Sequence, residues 1–386
     1  MRISTAHRFR LNFLYLLFPL LFLVLEPAIS VADDIIVGAI LPISGTHATI
    51  GHMQKNSMLM AVEDINSRGG INGKSLVLDV RDSGGRTRDA RAIIDHFVQD
   101  KQYSVVLAGS SSRVSASLAE KCEDRRIPVV IFTGSDDSVT LQDYRYVFRV
   151  APPRTRYALA ALQYSGSVVN GGKIVLITES SAYGDSMDRT VEQVARDRGW
   201  TVSGLWKFDT GASNLETLYA GAAAAEPEAV FLVAFPPEGS RIIEALKERI
   251  PDAPIFNLIP ASTAKINYSR CGEPCEGVMN PSLWWPDVTQ SGTIYHDKYK
   301  TRFGREPDYH GVQAYAAVIV VAQALRKSGS INPSLVREAL EKITVNTPYG
   351  RVSFRQWNGF TNQNDPASHL VRWNGENFEL VWSKSQ

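Results

Sequence analysis

Two stretches of this 386-residue chain approach catalytic or phosphate-binding patterns and then depart from them. Gly69-Gly70-Ile71-Asn72-Gly73-Lys74-Ser75 ends like a phosphate loop, but Arg68 stands where the first glycine is required, and a helical rather than a strand pattern precedes it. It reads as a turn. Gly184-Asp185-Ser186-Met187-Asp188 resembles a nucleophile elbow, yet Asp188 occupies the position where the sharp turn needs glycine. It reads as a helix start capped by Asp185 or Ser186. His47, His52, His96, His296, His310 and His369 have no paired spacing, and no Cys/His group has the spacing of a zinc site. Neither metal nor cofactor is implied, and no enzyme is expected.

A different chemistry is offered by Gly109-Ser110-Ser111-Ser112-Arg113, between a strand expected at 105–108 and a helix expected at 112–123. Backbone N–H groups at a helix start, with serine hydroxyls beside them, can hold a carboxylate or another acceptor group. Ser111 or Ser112 serves equally well as a plain N-cap. This loop can hold a ligand; nothing in it makes or breaks bonds.

The elements that place this loop alternate in type. Strands are expected at 35–41, 75–80, 105–108 and 129–132, with helices at 51–67, 87–98 and 112–123 between them. Residues 35–41 are almost continuously apolar, as a strand covered on both faces must be. After a strand-like segment stopped by Pro152 and Pro153 the rhythm begins again: strand 173–178, helix 186–198, strand 202–206, helix 215–225, strand 229–234 and helix 241–250. Helices at 312–326 and 333–343 and strand-like pieces at 350–354, 369–373 and 378–382 follow. The fold class is α/β, with two doubly wound, Rossmann-like lobes.

The first 32 residues stand outside that fold. Arg2, Arg8 and Arg10 precede an apolar run at 13–25, and small residues lead to a cut before Asp33, which is the form of a cleaved secretory signal. The run falls short of the roughly 20 residues that span a bilayer. With 41 Lys+Arg against 40 Asp+Glu, the whole chain has no general field to attract nucleic acid. Removing the leader leaves 38 basic against 39 acidic residues. Export permits disulfides, and Cys271 and Cys275 are close enough for a local bridge, while Cys122 is expected as a buried thiol in a helix.

Six passages carry a family resemblance: residues 37–45, 61–76, 108–120, 146–153, 181–187 and 303–315. Together they resemble the type I periplasmic binding proteins of the Leu/Ile/Val-binding family, in order and spacing along essentially the whole chain after the leader. The resemblance implies two lobes joined by a three-segment hinge, with 33–150 and 282–345 in the first lobe and 151–281 and 346–386 in the second. It implies a monomer in the periplasm that closes over a small-molecule solute and presents it to the membrane permease subunits of an ABC transporter. A ligand-sensing module of the same fold, signalling to a membrane receptor or regulator, is the alternative.

Carried over residue by residue, the resemblance makes Ser111 the first-lobe serine that binds a ligand carboxylate, with Ser112 beside it. Tyr183, ahead of Gly184, matches the second-lobe tyrosine that contacts the ligand across the cleft. Phe235 falls where a tyrosine is common, and Ile50 replaces an aromatic residue ahead of Gly51. In the loop after the fourth strand, Ser135 faces the ligand, and Asp137 meets a donor group or, if it enters the cleft beside a carboxylate, repels it. His310 lies near an expected cleft aromatic. Trp284 and Trp285 line the cleft or pack the hinge. The acid that pairs with a ligand ammonium belongs near 257–260, where the sequence Asn-Leu-Ile-Pro contains none. Either the charges of an amino-acid site are relocated, or the solute is different, such as an amide, a urea-like molecule or an aromatic compound.

Overall fold

The computed structural model describes residues 34–384 apart from 101 and 110. The expected leader at 1–32 lies outside the described residues. In the first lobe β1 (Ile35–Leu41), α1 (Ala48–Asn66), β2 (Leu76–Asp82), α2 (Thr87–Gln99), β3 (Val106–Gly109), α3 (Ser112–Arg125), β4 (Val129–Thr133) and β5 (Val147–Arg149) alternate. The chain crosses to the second lobe for α4 (Thr155–Ser165), β6 (Lys173–Glu179), α5 (Ala182–Arg198), β7 (Thr201–Phe208), α6 (Glu216–Ala224), β8 (Ala229–Val233), α7 (Glu238–Arg249), β9 (Ile255–Asn257), α8 (Ala261–Cys271) and β10 (Met279–Ser282). It returns for α9 (Gln290–Phe303), α10 (Tyr309–Ser328), α11 (Pro333–Glu341), the ribbon β11 (Thr344–Thr347) and β12 (Gly350–Ser353), then β13 (Arg355–Trp357) and β14 (Phe360–Gln363). A last crossing leads to β15 (Ser368–Trp373) and β16 (Phe378–Lys384).

The described strands form two seven-stranded sheets beside the ribbon, in the orders β13-β14-β5-β4-β3-β1-β2 and β16-β15-β10-β9-β8-β6-β7. In each, the central strands run parallel, and the first strand lies between its two nearest successors, β1 between β2 and β3 and β6 between β7 and β8. That arrangement creates a topological switch point in both lobes, where a crevice opens beyond the carboxyl ends of the strands. Buried apolar residues cover both faces of the first sheet, in one cluster with α1 and α10 and another with α2 and α3, while the second lobe has its own core around β6, β8 and β9.

Two boundaries differ from the sequence reading by more than three residues. Residues 346–363 stay with the first lobe rather than joining the second: Tyr349, Val352 and Phe354 are buried in the first-lobe core, and β14 pairs in parallel with β5 at Gln363 and Arg149. The third crossing is therefore 364–367. The helix expected at 186 starts at Ala182, because the Ser181 side chain rather than Asp185 or Ser186 accepts from the Gly184 N–H. The glycine-rich stretch after α1 is a turn, with Gly69, Gly70, Asn72 and Gly73 all at positive φ (90°, 68°, 51° and 83°) and Ile71 bridged to Lys74. Cys271 and Cys275 are joined in a disulfide at the end of α8. Cys122 is a buried free thiol on α3, and burial pushes its pKa up, away from the reactive thiolate.

Candidate ligand-binding site

The loops that leave the carboxyl ends of both sheets meet at one cavity of about 360 Å³. From the first lobe come Pro42, His47 and Ile50 after β1, Ser111 and Ser112 after β3, and Thr133, Gly134 and Ser135 at the end of β4. The second lobe supplies Tyr183 after β6, Phe235 after β8, and Pro260 and Thr263 after β9. Tyr157 on α4 and Tyr309 and His310 at the start of α10 complete the lining. The cavity thus lies where the two switch points face each other.

The two adjacent serines have different duties. Ser111 sits at the N-cap of α3 with extended backbone (φ −62°, ψ 156°), but its hydroxyl makes no capping hydrogen bond. The hydroxyl and the unpaired N–H groups of the first turn of α3 are therefore available to an acceptor. Ser112 is engaged: its Oγ accepts from the N–H groups of Ser135 (3.2 Å) and Asp136 (3.3 Å) and ties the loop after β4 to the helix. Gly134 allows that approach. It has a φ of +120°, and a Cβ there would lie 2.6 Å from the Ser115 Oγ, whose own hydroxyl donates to the Thr133 carbonyl.

The aromatic wall is built by contacts among its members. Tyr183 meets Phe235 edge to face at 5.5 Å between centroids, and the Tyr183 hydroxyl donates to the Leu258 carbonyl at 2.8 Å. Tyr309 stacks on His310 at 3.9 Å. Burial pushes the Tyr157 phenol up to about 12 and the Tyr183 and Tyr309 phenols well above their ordinary value, so all three remain neutral. His310 Nδ1 lies 3.0 Å from the Asp308 Oδ1. Burial alone would raise the Asp308 carboxyl; the facing His310 ring and the N–H groups of His310 and Gly311 outweigh it and hold the group below the usual carboxylate range.

Of the residues expected at the site, Ser111, Ser112, Ser135, Tyr183, Phe235 and His310 are gathered at this cavity. Asp137 is not among its lining residues. Its Oδ1 accepts from the Arg154 N–H at 3.0 Å, because the short loop after β4 turns back into the first crossing. Asp136 caps the turn at 137–139 and pairs with Arg154 at 3.1 Å. Trp284 is buried and donates from its indole N–H to the Pro348 carbonyl, while Trp285 lines a neighbouring groove. Tyr157, Tyr309, His47 and Thr263 were not singled out from sequence, since crossings and helix starts with no motif of their own bring them here.

Residues 34–377 match the family described as periplasmic binding protein. The chain belongs to that family. Over 84% of its length this binding protein is 24% identical to the leucine-, isoleucine-, valine-, threonine- and alanine-binding protein of Pseudomonas aeruginosa, 86% of which is covered. It is 22% identical to Leu/Ile/Val-binding protein homolog 1 of Brucella abortus, over 83% of this chain and 86% of that one. Among solved structures, a branched chain amino acid ABC transporter periplasmic ligand-binding protein from Burkholderia xenovorans superposes with a TM-score of 0.81 at 15% identity, covering 91% of this chain and 96% of that one. A branched-chain amino acid transporter substrate-binding protein from Streptococcus pneumoniae, in complex with isoleucine, gives 0.73 at 18% identity, covering 90% and 99%. The binding protein therefore has the type I fold that the sequence resemblance implied, and its family and relatives bind substrates rather than transform them. Among the described residues no helix is long and apolar enough to cross a membrane.

Proposed function

We propose that this protein is the periplasmic solute-binding component of an ABC importer, exported by its N-terminal segment, and that it captures a small organic solute by closing its two lobes over it. The observation that carries this reading is the cavity at the facing switch points, lined by Ser111 and Ser135 from one lobe and Tyr183 and Phe235 from the other. Ser111 and the first turn of α3 hold the acceptor end of the solute; Tyr183 and Phe235 close on its body. No bond is made or broken. Closure follows because the solute gains contacts from the second lobe only in the closed state. The names of the relatives place amino acids among the solutes to be tested first.

The test is thermal unfolding of the stripped and refolded protein across amino acids, short amides, aromatic acids and polyols. A solute at a hundredfold excess over its dissociation constant adds about 2.7 kcal/mol, a rise of several degrees. The double variant Ser111→Ala with Tyr183→Ala is expected to melt cooperatively and to lose that rise; an undiminished rise overturns the site. For the importer role, deleting the gene is expected to abolish high-affinity uptake of the solute by the cell, and unchanged uptake overturns it.

A further inference from the structure

We propose that the solute is an aromatic carboxylate that carries no ammonium group. The inference rests on the solute-binding reading above and deepens it from three features of the cavity.

The first is the fate of the carboxylates. Among the described residues that line the cavity there is no Asp or Glu. Three near it are engaged elsewhere: Asp136 with Arg154, Asp137 with the Arg154 N–H, and Asp308 with His310 while it lines the neighbouring groove. Four backbone carbonyls beside the cavity already accept hydrogen bonds. The Thr133 carbonyl accepts from Ser115, that of Ser135 from the Arg154 N–H, that of Leu258 from Tyr183, and that of Pro260 from the N–H groups of Thr263 and Ala264. An ammonium drawn from water into this space would lose its hydration without an anion to replace it, which is the costliest kind of burial.

The second feature is that the positive side of the ledger is present. The uncapped Ser111 hydroxyl and the start of the 14-residue α3 can hold an anion at the cavity. An amino-acid zwitterion would be satisfied at one end only; a simple carboxylate is satisfied at its only charged end.

The third feature decides what the uncharged remainder is. Aromatic rings can hold a cation over their faces, so the absence of an acid would not by itself exclude a quaternary ammonium. Here Arg154 already holds the cation position over Tyr183. The Arg154 guanidinium carbon lies 5.7 Å from the Tyr183 ring centroid, Tyr309 stacks on His310, and Phe235 meets Tyr183 at 72°. The rest of the aromatic lining and the apolar surfaces of Pro42, Ile50 and Pro260 suit a flat apolar body.

The experiment titrates the stripped, refolded protein with benzoate, 4-hydroxybenzoate, phenylacetate, L-phenylalanine, L-leucine, benzamide and glycine betaine, and reads heat and melting temperature. At least one aromatic acid is expected to bind at least tenfold more tightly than phenylalanine, leucine, benzamide and betaine. Tighter binding of either amino acid, of betaine, or of benzamide as well as benzoate overturns the proposal while leaving the solute-binding reading intact. The molecule released by denaturing protein purified from its own periplasm keeps the two apart. A released amino acid overturns only the solute class; an empty extract with silence across both panels overturns the binding reading as well. A second variant tests the missing acid directly. Thr263→Glu places a carboxylate on the second-lobe wall in the first turn of α8, where an acid suits the helix terminus. It is expected to weaken the aromatic acid at least tenfold and to strengthen phenylalanine; tighter binding of the acid by this variant overturns the proposal.

Discussion

Ser111 and Ser112 are chemically identical neighbours with opposite engagements, and that difference is measurable. A serine at an N-cap normally contributes about 1 kcal/mol through its capping bond. Ser111 makes no such bond, so Ser111→Ala is expected to cost less than about 0.5 kcal/mol of stability and to weaken the solute about tenfold, the loss of one hydrogen bond to a charged group. Ser112→Ala leaves the N–H groups of Ser135 and Asp136 without their acceptor and should cost about 1 to 2 kcal/mol in denaturant unfolding. Equal stability losses in the two variants would contradict this division. From sequence, the serine loop was legible as a pair because a strand leads into it and a helix leaves it. Which serine is free was not, since that depends on Gly134 bringing a distant loop onto α3. The same limit explains Asp137. Its residue type permitted a ligand contact, but its partner is set by the path of the chain into the first crossing.

Elements with strong apolar patterns, such as β1 and α10, were readable because burial on every side leaves only one kind of residue tolerable. β13 and β14 were not. Arg-Gln-Trp and Phe-Thr-Asn-Gln have no strand pattern, and they are strands because Gln363 docks on the buried Arg149, accepting from its Nε at 2.5 Å, and donates to the Ala151 carbonyl at 2.8 Å. β15 carries a polar residue with an observable consequence. His369 is buried there, with Nδ1 2.8 Å from the Ser383 hydroxyl, and burial pushes its pKa down to about 4. Its folded value lies below the unfolded value of about 6.5, so the neutral ring is the stable form in the fold. The contribution is present in full above pH 6.5 and is lost as the pH falls towards 4. Unfolding free energy is expected to drop by a few kcal/mol across that window through this group alone. In His369→Gln the slope between pH 6.5 and 4 should flatten; an unchanged slope would show that other groups govern acid sensitivity.

At the scale of the whole molecule, the three crossings decide how the lobes can move. The first and third run side by side as one strip, since Asn364 donates from its backbone N–H to the Arg149 carbonyl (2.9 Å) and from its side chain to the Val150 carbonyl (3.1 Å). The second is pinned to the first lobe where Trp284 donates to Pro348. Arg154 stands just past the strip and reaches both lobes. Its guanidinium pairs with Asp136 of the first lobe and donates to the Ala182 carbonyl of the second, each at 3.1 Å, while lying over Tyr183. A group that touches both lobes stabilises one of their relative arrangements over others, so its removal should change closure more than folding. Arg154→Ala is expected to weaken the solute about tenfold, with a loss of no more than about 1 kcal/mol in the stability of the unliganded protein. Small-angle scattering gives the decisive reading. With solute at saturation for the native protein, the variant should retain a larger radius of gyration, and saturation at higher solute should restore the closed value. A variant with native affinity and native compaction would assign Arg154 to the local packing of Tyr183 alone, and closure would then depend on the solute's own contacts with the second lobe.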